Sequence, residues 1–304
     1  MIETKKLHAK IQTGKGDKTY YVINFLILVF LTLIVVYPLY FLIIASFSDS
    51  NLVTSGEVLL IPKGITFEGY KRLIEDKTIW VGYLNTIFYT FFGTLFSLIL
   101  TIPAGWGLSR PNIPYKKFLM WLFIIPMFFG GGLIPFYIVV SKLGMVNTRW
   151  ALIIPSALSV WNVFMCKAYF ESNLPAEILE AGRIDGAGEL YLFVKFVMPL
   201  SKPIIAVIAL YCAVGQWNNY FGALVFLTKS ELFPLQLILR DILIMEDTSA
   251  VMGGGGGATF QEQVKLANQI KYTSIIVSSL PIILAYPFFQ KYFNQGILVG
   301  SLKS

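Results

Sequence analysis

Charged and chemically reactive side chains are scarce in this sequence. Only 13% of the residues are charged and 56% are hydrophobic, whereas about a quarter of the residues of a soluble globular domain are charged. One histidine, His8, and two cysteines, Cys166 and Cys212, are present. This composition predicts neither a disulfide framework nor a metal site. Because no nucleophile–base pair is apparent either, an enzyme acting within the membrane is not expected.

Long stretches without any charge indicate a membrane protein. A helix needs about 20 mostly apolar residues to cross a bilayer, and six uncharged windows reach or approach that length. They are 19–48, 78–109, 118–141, 150–166, 203–228 and 272–290. We therefore predict an all-α polytopic membrane protein with six transmembrane helices, made of a polar tail at 1–18 and a membrane domain at 19–304. Since ion-coupled carriers place ionisable residues in their spans, the windows argue against a proton- or sodium-driven carrier.

The distribution of positive charge predicts the orientation. Six spans put both termini on one side, and the segments on that side carry more Lys and Arg than the others. Cytoplasmic loops show this excess, so both termini are predicted to be cytoplasmic. The same bias explains the net charge of +7 in a protein that contacts membrane lipid, and no nucleic-acid partner is expected.

The charged stretch that leads into the fifth window, residues 174–203, predicts a helix, a break and a second helix. Pro175 suits a helix start, Gly186 and Gly188 loosen the backbone, and Pro199 and Pro203 are expected to stop the second helix. Its residues resemble the EAA loop of permeases from binding-protein-dependent ABC importers, with pattern positions at Glu180, Ala181, Asp185, Gly186, Ala187, Phe193, Pro199 and Pro203. Gly182 departs from the pattern, which has Ala at that position.

The resemblance implies the type I permease fold and a set of partners. These are a second permease subunit, two cytoplasmic ATP-binding subunits and an extracellular or periplasmic solute-binding protein, in a bacterial cell membrane. It also implies that this chain binds no cofactor, because ATP and magnesium belong to the ATPase. The residues implied to form the coupling helix are Glu180, Ala181, Gly182, Asp185, Gly186 and Ala187.

Polar residues in the fourth and fifth windows are candidates for a substrate path. Such residues are costly in lipid unless they contact other helices or water. Amides exchange hydrogen bonds with sugar hydroxyls, and aromatic rings can stack on a pyranose, although hydrogen bonds between helices are an alternative role. The candidates are Trp161, Asn162, Gln216, Trp217, Asn218, Asn219 and Tyr220. The fifth-window cluster also resembles sugar-importing permeases of the maltose type.

Three further segments leave alternatives open. Gly130–Gly132, between Pro126 and Pro135, should interrupt the third helix, either for close helix packing or to line a gate. The outer loop from Ala45 to Lys77 is long enough to form a small cap. Five glycines at 253–257 predict a flexible linker, and the resemblance suggests a mobile finger for the binding protein.

Together these features predict the permease subunit of an ATP-driven carbohydrate importer, with an oligosaccharide as substrate. The chain would form the translocation path and would not be an enzyme itself. The alternatives are an amino-acid or peptide permease of the same transporter class, or a secondary carrier.

Overall fold

The computed structural model describes residues 15–252 and 258–301. Within these ranges all regular secondary structure is helical, as predicted. Most of the N-terminal tail, including His8, lies outside the described residues, as do the five glycines at 253–257 and the last three residues.

The chain forms fifteen labelled helices within the described ranges, several of them short. They are α1 (Lys15–Ser46), α2 (Ser50–Thr54), α3 (Glu68–Glu75), α4 (Lys77–Ser109), α5 (Lys116–Phe128), α6 (Leu133–Lys142), α7 (Trp150–Ile153), α8 (Val160–Asn173), α9 (Ala176–Ile184), α10 (Glu189–Leu192), α11 (Met198–Leu200), α12 (Lys202–Trp217), α13 (Phe221–Phe226), α14 (Leu235–Met252) and α15 (Ala258–Ser301). A π-helical turn at Phe193–Val197 joins α10 to α11.

Among the described residues, three stretches are long and apolar enough to cross a membrane as continuous helices: Lys18–Ser46, Lys77–Ser109 and Asn268–Phe288. Two more candidates are bent. The pair α5 and α6 turns by 119°, and the helix from Glu189 to Leu200 turns by 80° into α12. If each bent pair is one span there are five, so the count of six stays a prediction.

Helix α4 is the centre of the bundle because three of its glycines allow other helices to approach its backbone. A Cβ added at Gly82 would lie 2.6 Å from a side-chain atom of α14, and Cβ atoms added at Gly93 and Gly105 would lie 2.5 Å from side-chain atoms of α12 and α8. Gly82 and Gly93 are about three helical turns apart and share one face of α4, whereas Gly105 is rotated by about 120° from Gly93. Side chains at these positions would push the neighbouring helices apart.

The fourth uncharged window, 150–166, does not form one helix. Helix α7 ends at Ile153 and α8 begins at Val160. Pro155 has no amide hydrogen for the helical ladder, and the Ser156 hydroxyl donates to the carbonyl oxygens of Leu152 at 2.6 Å and Ile153 at 3.3 Å. These two effects end α7, and the expectation of a single helix here is wrong.

The fifth window, 203–228, is also interrupted, at residues 218–220. The side-chain Nδ2 of Asn218 donates to the Val214 carbonyl oxygen at 2.9 Å, which closes the end of α12. The Asn219 carboxamide oxygen accepts from the Gly222 amide at 3.0 Å, which caps the start of α13. Side chains that bond to nearby backbone compete with a continuous helix, and two such asparagines in succession break it.

The predicted interruption at Gly130–Gly132 is present, since α5 ends at Phe128 and α6 begins at Leu133. Gly132 has a φ of 82°, a conformation that glycine adopts readily. A Cβ added at Gly130 or Gly132 would meet no atom within 4 Å. Within this chain the glycines therefore serve the bend rather than close helix packing.

The loop from Ala45 to Lys77 forms the expected small cap from α2 and α3. Asp49 caps α2 by accepting from the Asn51 amide at 2.9 Å, and a Cβ added at Gly69 of α3 would lie 2.6 Å from Thr273 Oγ1 of α15. The cap is thereby fixed on one end of α15.

Candidate substrate path and coupling segment

A cavity of roughly 540 Å³ opens beside the two helix breaks. Helix α4 contributes Ser97, the turn between α7 and α8 contributes Ser156 and Ser159, and the rest comes from α8, α12 and the break after α12. The lining residues are Ser97, Ser156, Ser159, Trp161, Asn162, Tyr211, Cys212, Gly215, Gln216 and Asn219. The structure thus brings four of the seven predicted path residues together.

Gln216 is one of the buried polar groups of this cavity. Its side chain is 7% exposed, and its Nε2 donates to Ser156 Oγ at 2.7 Å and to the Leu152 carbonyl oxygen at 3.4 Å. Its Oε1 is buried without a hydrogen-bond partner. An unsatisfied buried acceptor costs about 1–3 kcal/mol.

The lining also combines a second amide with exposed aromatic rings. Asn162 is 8% exposed and its Nδ2 donates to Cys212 Sγ at 3.5 Å. Trp161 and Tyr211 are 66% and 54% exposed. Their rings offer flat apolar surface beside hydroxyl and amide groups.

The other three predicted path residues lie away from this cavity. Trp217 is buried in a core cluster with Leu73, Ile79, Leu235 and Leu239, and its Nε1 donates to the Ser278 carbonyl oxygen at 3.0 Å. Asn218 closes α12, as described above. Tyr220 lines a second, smaller cavity of roughly 240 Å³.

Sequence reasoning missed the serines and Tyr211 of the first cavity. Ser156 had a usable signal, because Pro155 before it predicts a break in an apolar window. Tyr211 had no such signal, because five residues separate it from Gln216 and put the two side chains about 140° apart around α12. Ser97 had no comparable signal.

The segment 174–203 forms a helical unit packed on the ends of α4 and α8. Leu179 of α9 is buried in a cluster with Trp106 of α4 and Phe170 of α8. Glu180 is exposed on the other side of α9, so an apolar face holds the unit while a polar face is presented outward.

The departure at Gly182 has a structural reason within this chain. A Cβ there would lie 2.5 Å from Leu192 Cδ2, and both residues are buried. Glycine therefore allows α9 and α10 to close against each other. Ala181, Asp185 and Gly186 are exposed, and Ala187 is partly exposed.

Ion pairs surround this unit. Arg183 Nη2 lies 2.7 Å from Glu189 Oε1 across the break, and Lys167 Nζ lies 2.7 Å from Glu171 Oε2 on α8. The Arg110 guanidinium lies 3.6 Å from the centre of the Trp106 ring. Burial and the nearby Arg183 lower the pKa of Arg110, while Glu189 and Glu171 act in the opposite direction. The end of α4 is thus electrostatically linked to α9 and α10.

Comparison with known proteins decides the family. The family described as "binding-protein-dependent transport system inner membrane component" matches residues 78–299, which include both breaks, the cavity and the segment 174–203. The chain belongs to this family. The predicted permease class is thereby confirmed.

Three similar proteins extend the match over almost the whole permease. This chain is 36% identical over 289 residues to protein LplC of Bacillus subtilis (strain 168), and the match covers 95% of this chain and 96% of that protein. It is 37% identical over 280 residues to the polygalacturonan/rhamnogalacturonan transport system permease protein YtcP of the same organism, covering 91% and 95%. This chain also resembles one chain of a solved bacterial ABC transporter involved in the import of the acidic polysaccharide alginate. The two chains have a TM-score of 0.81 and 33% sequence identity, and the match covers 92% of this permease and 98% of that chain.

Proposed function

We propose that this permease forms half of the translocation path of an ATP-driven importer for acidic oligosaccharides. The observation that carries the proposal is the first cavity, where exposed Trp161 and Tyr211 lie beside Asn162, Gln216 and Asn219. Amides and hydroxyls pair with sugar hydroxyls, and aromatic rings cover the apolar faces of sugar rings.

The acidic character of the substrate is proposed from the relatives. YtcP is named for polygalacturonan and rhamnogalacturonan, which are polymers containing uronic acid, and the solved transporter imports acidic alginate. Both similarities exceed 30% identity over nine tenths of this chain, and neither points to amino acids or peptides.

We further propose the assembly and topology that this activity needs. The permease pairs with a second permease subunit, two ATP-binding subunits and an external solute-binding protein, and lies in the bacterial cell membrane with six spans and cytoplasmic termini. Glu180, Ala181, Asp185, Gly186 and Ala187 would meet the ATPase. The buried packing of Leu179 would carry its movement to α4 and α8, while Gly182 keeps α9 closed on α10.

Uptake by the complete transporter in proteoliposomes tests the path. Trp161→Ala should raise the KM for an acidic oligosaccharide about fivefold, because one aromatic contact contributes about 1 kcal/mol. Trp121→Ala is the matched control, since Trp121 is similarly exposed at 61% but does not line the cavity. An unchanged KM in Trp161→Ala, with the complex intact, would exclude this cavity from the path.

A further inference from the structure

The second cavity contains a positive charge that the first one lacks. It is bounded by Tyr220, by Gln236, Arg240 and Leu243 of α14, and by Ser274 and Ser278 of α15. By contrast, the lining of the first cavity contains serines, amides, aromatic rings and a thiol, and none of those side chains is charged. A ligand that differs from a neutral sugar only by its carboxylates would therefore meet its complementary charge in the second cavity.

The sequence of α14 explains why Arg240 points to this cavity. Leu235 and Leu239, 0% and 5% exposed, pack in one core cluster, and Leu237, 1% exposed and on the opposite side of the helix, packs in another, so α14 is held from two sides. Gln236 and Arg240 are four residues apart and therefore lie one above the other on another side. The helix thus holds the guanidinium beside an amide that can contact the same ligand.

Arg240 is already paired with a carboxylate. Its Nη1 lies 3.0 Å from Asp241 Oδ1, and the two side chains are 34% and 39% exposed. The ion pair shows that the Arg240 guanidinium can bind a carboxylate. The guanidinium also remains partly exposed and lines the cavity. A second carboxylate can share or replace Asp241, because a guanidinium has five N–H donors.

The two cavities meet at the same break in the chain. Asn219 lines the first cavity and its neighbour Tyr220 lines the second. Both lie beyond Trp217, at the end of α12 opposite to Lys202 and the segment 174–203. The second cavity therefore lies close to the first at this break.

We propose that the second cavity is a carboxylate-recognising subsite for a uronate unit, with Arg240 as the specificity-determining residue. This inference rests on the proposed function and adds the group that selects acidic substrates. Arginine is suited to the role because its planar fork of donors matches a carboxylate. Gln236 and the serine hydroxyls of α15 supply partners for the neighbouring sugar hydroxyls.

Saturation-transfer NMR on the detergent-purified complex of both permeases and the ATPase subunits tests the subsite without the binding protein. The probes are trigalacturonate and its methyl ester, which has the same sugar units without the charges. The native complex should bind the acid more tightly than the ester. Arg240→Gln should weaken acid binding about tenfold or more and leave ester binding unchanged.

Two further variants keep the test decisive. Asp241→Asn should tighten acid binding several-fold, because it removes the competing carboxylate, and this gain cannot come from misfolding. Arg72→Gln is the matched control: Arg72 is also paired with an acid, Glu68, at 3.6 Å, but it lies on α3 away from the cavity. Equal acid binding by the native complex and Arg240→Gln would overturn the proposal.

Uptake separates the two levels of inference. If native proteoliposomes with the binding protein import trigalacturonate and Arg240→Gln imports it with the same KM, the subsite is refuted and the transport function stands. If the native transporter imports neither probe nor any other acidic oligosaccharide, the proposed function itself fails.

Discussion

The close contact between Gly93 and Gln216 gives a sharp test of how α4 and α12 pack. In Gly93→Ala the added Cβ would lie 2.5 Å from Gln216 Nε2, 2.7 Å from Cδ and 2.8 Å from Cγ. Moving the terminal amide alone does not relieve three such contacts. The whole side chain has to shift, and its 2.7 Å hydrogen bond to Ser156 is lost.

The expected magnitude follows from three terms. Alanine in place of glycine favours the helix by about 1 kcal/mol. Overpacking costs about 1–3 kcal/mol, and loss of the hydrogen bond costs about 1 kcal/mol. The variant should therefore be destabilised by about 1–3 kcal/mol, and uptake should fall because Gln216 is displaced within the first cavity.

Thermal unfolding of the purified complex, followed by intrinsic fluorescence, measures this effect. Gly107→Ala on the same helix is the matched control, because its nearest new contact would be Ile113 Cδ1 at an ordinary 3.9 Å. That variant should be as stable as the native complex or up to about 1 kcal/mol more stable. If Gly93→Ala unfolds at the same temperature as Gly107→Ala, the close packing of α4 on α12 is refuted.

Two other outcomes are expected. Glu180→Lys should abolish uptake and substrate-stimulated ATP hydrolysis in an assembled complex, because it reverses a charge on the exposed face of α9. Glu177→Lys is the control, since Glu177 is also exposed on α9. Normal uptake by Glu180→Lys would contradict the coupling role. A membrane-permeant thiol reagent should modify Cys212, which lines the first cavity, more readily than fully buried Cys166, and bound substrate should slow the reaction. Labelling that persists unchanged in Cys212→Ser would show that the cavity thiol is not the reactive one.

The sequence predicts the segment 174–203 well because its signals are local. Pro175 precedes α9, and the glycines at 186 and 188 fall in the break between α9 and α10. Pro199 is less decisive, since the helix continues to Leu200 before the chain bends at Ser201. The role of Gly182 could not be predicted, because its partner Leu192 is brought close only by the folded turn.

The candidate path was predicted in part for a different reason. Hydropathy identified the windows 150–166 and 203–228. It could not predict the hydrogen bonds from Ser156, Asn218 and Asn219 to nearby backbone, which end helices within these windows. The direction in which each side chain points was the second feature that the sequence did not predict. Gln216 and Trp217 are adjacent in the sequence, yet one lines a cavity and the other lies in the core, as neighbours on a helix point about 100° apart.

The glycine contacts of α4 determine which parts of the permease can move separately. Where α8, α12 and α14 touch α4 at Gly105, Gly93 and Gly82, their side chains lie directly against the α4 backbone, which leaves little space to absorb a displacement. These four helices are therefore expected to move together as one rigid body. The remaining freedom belongs to the bent pair α5 and α6, whose glycines touch little, and the rearrangement that opens and closes the path is expected to concentrate there.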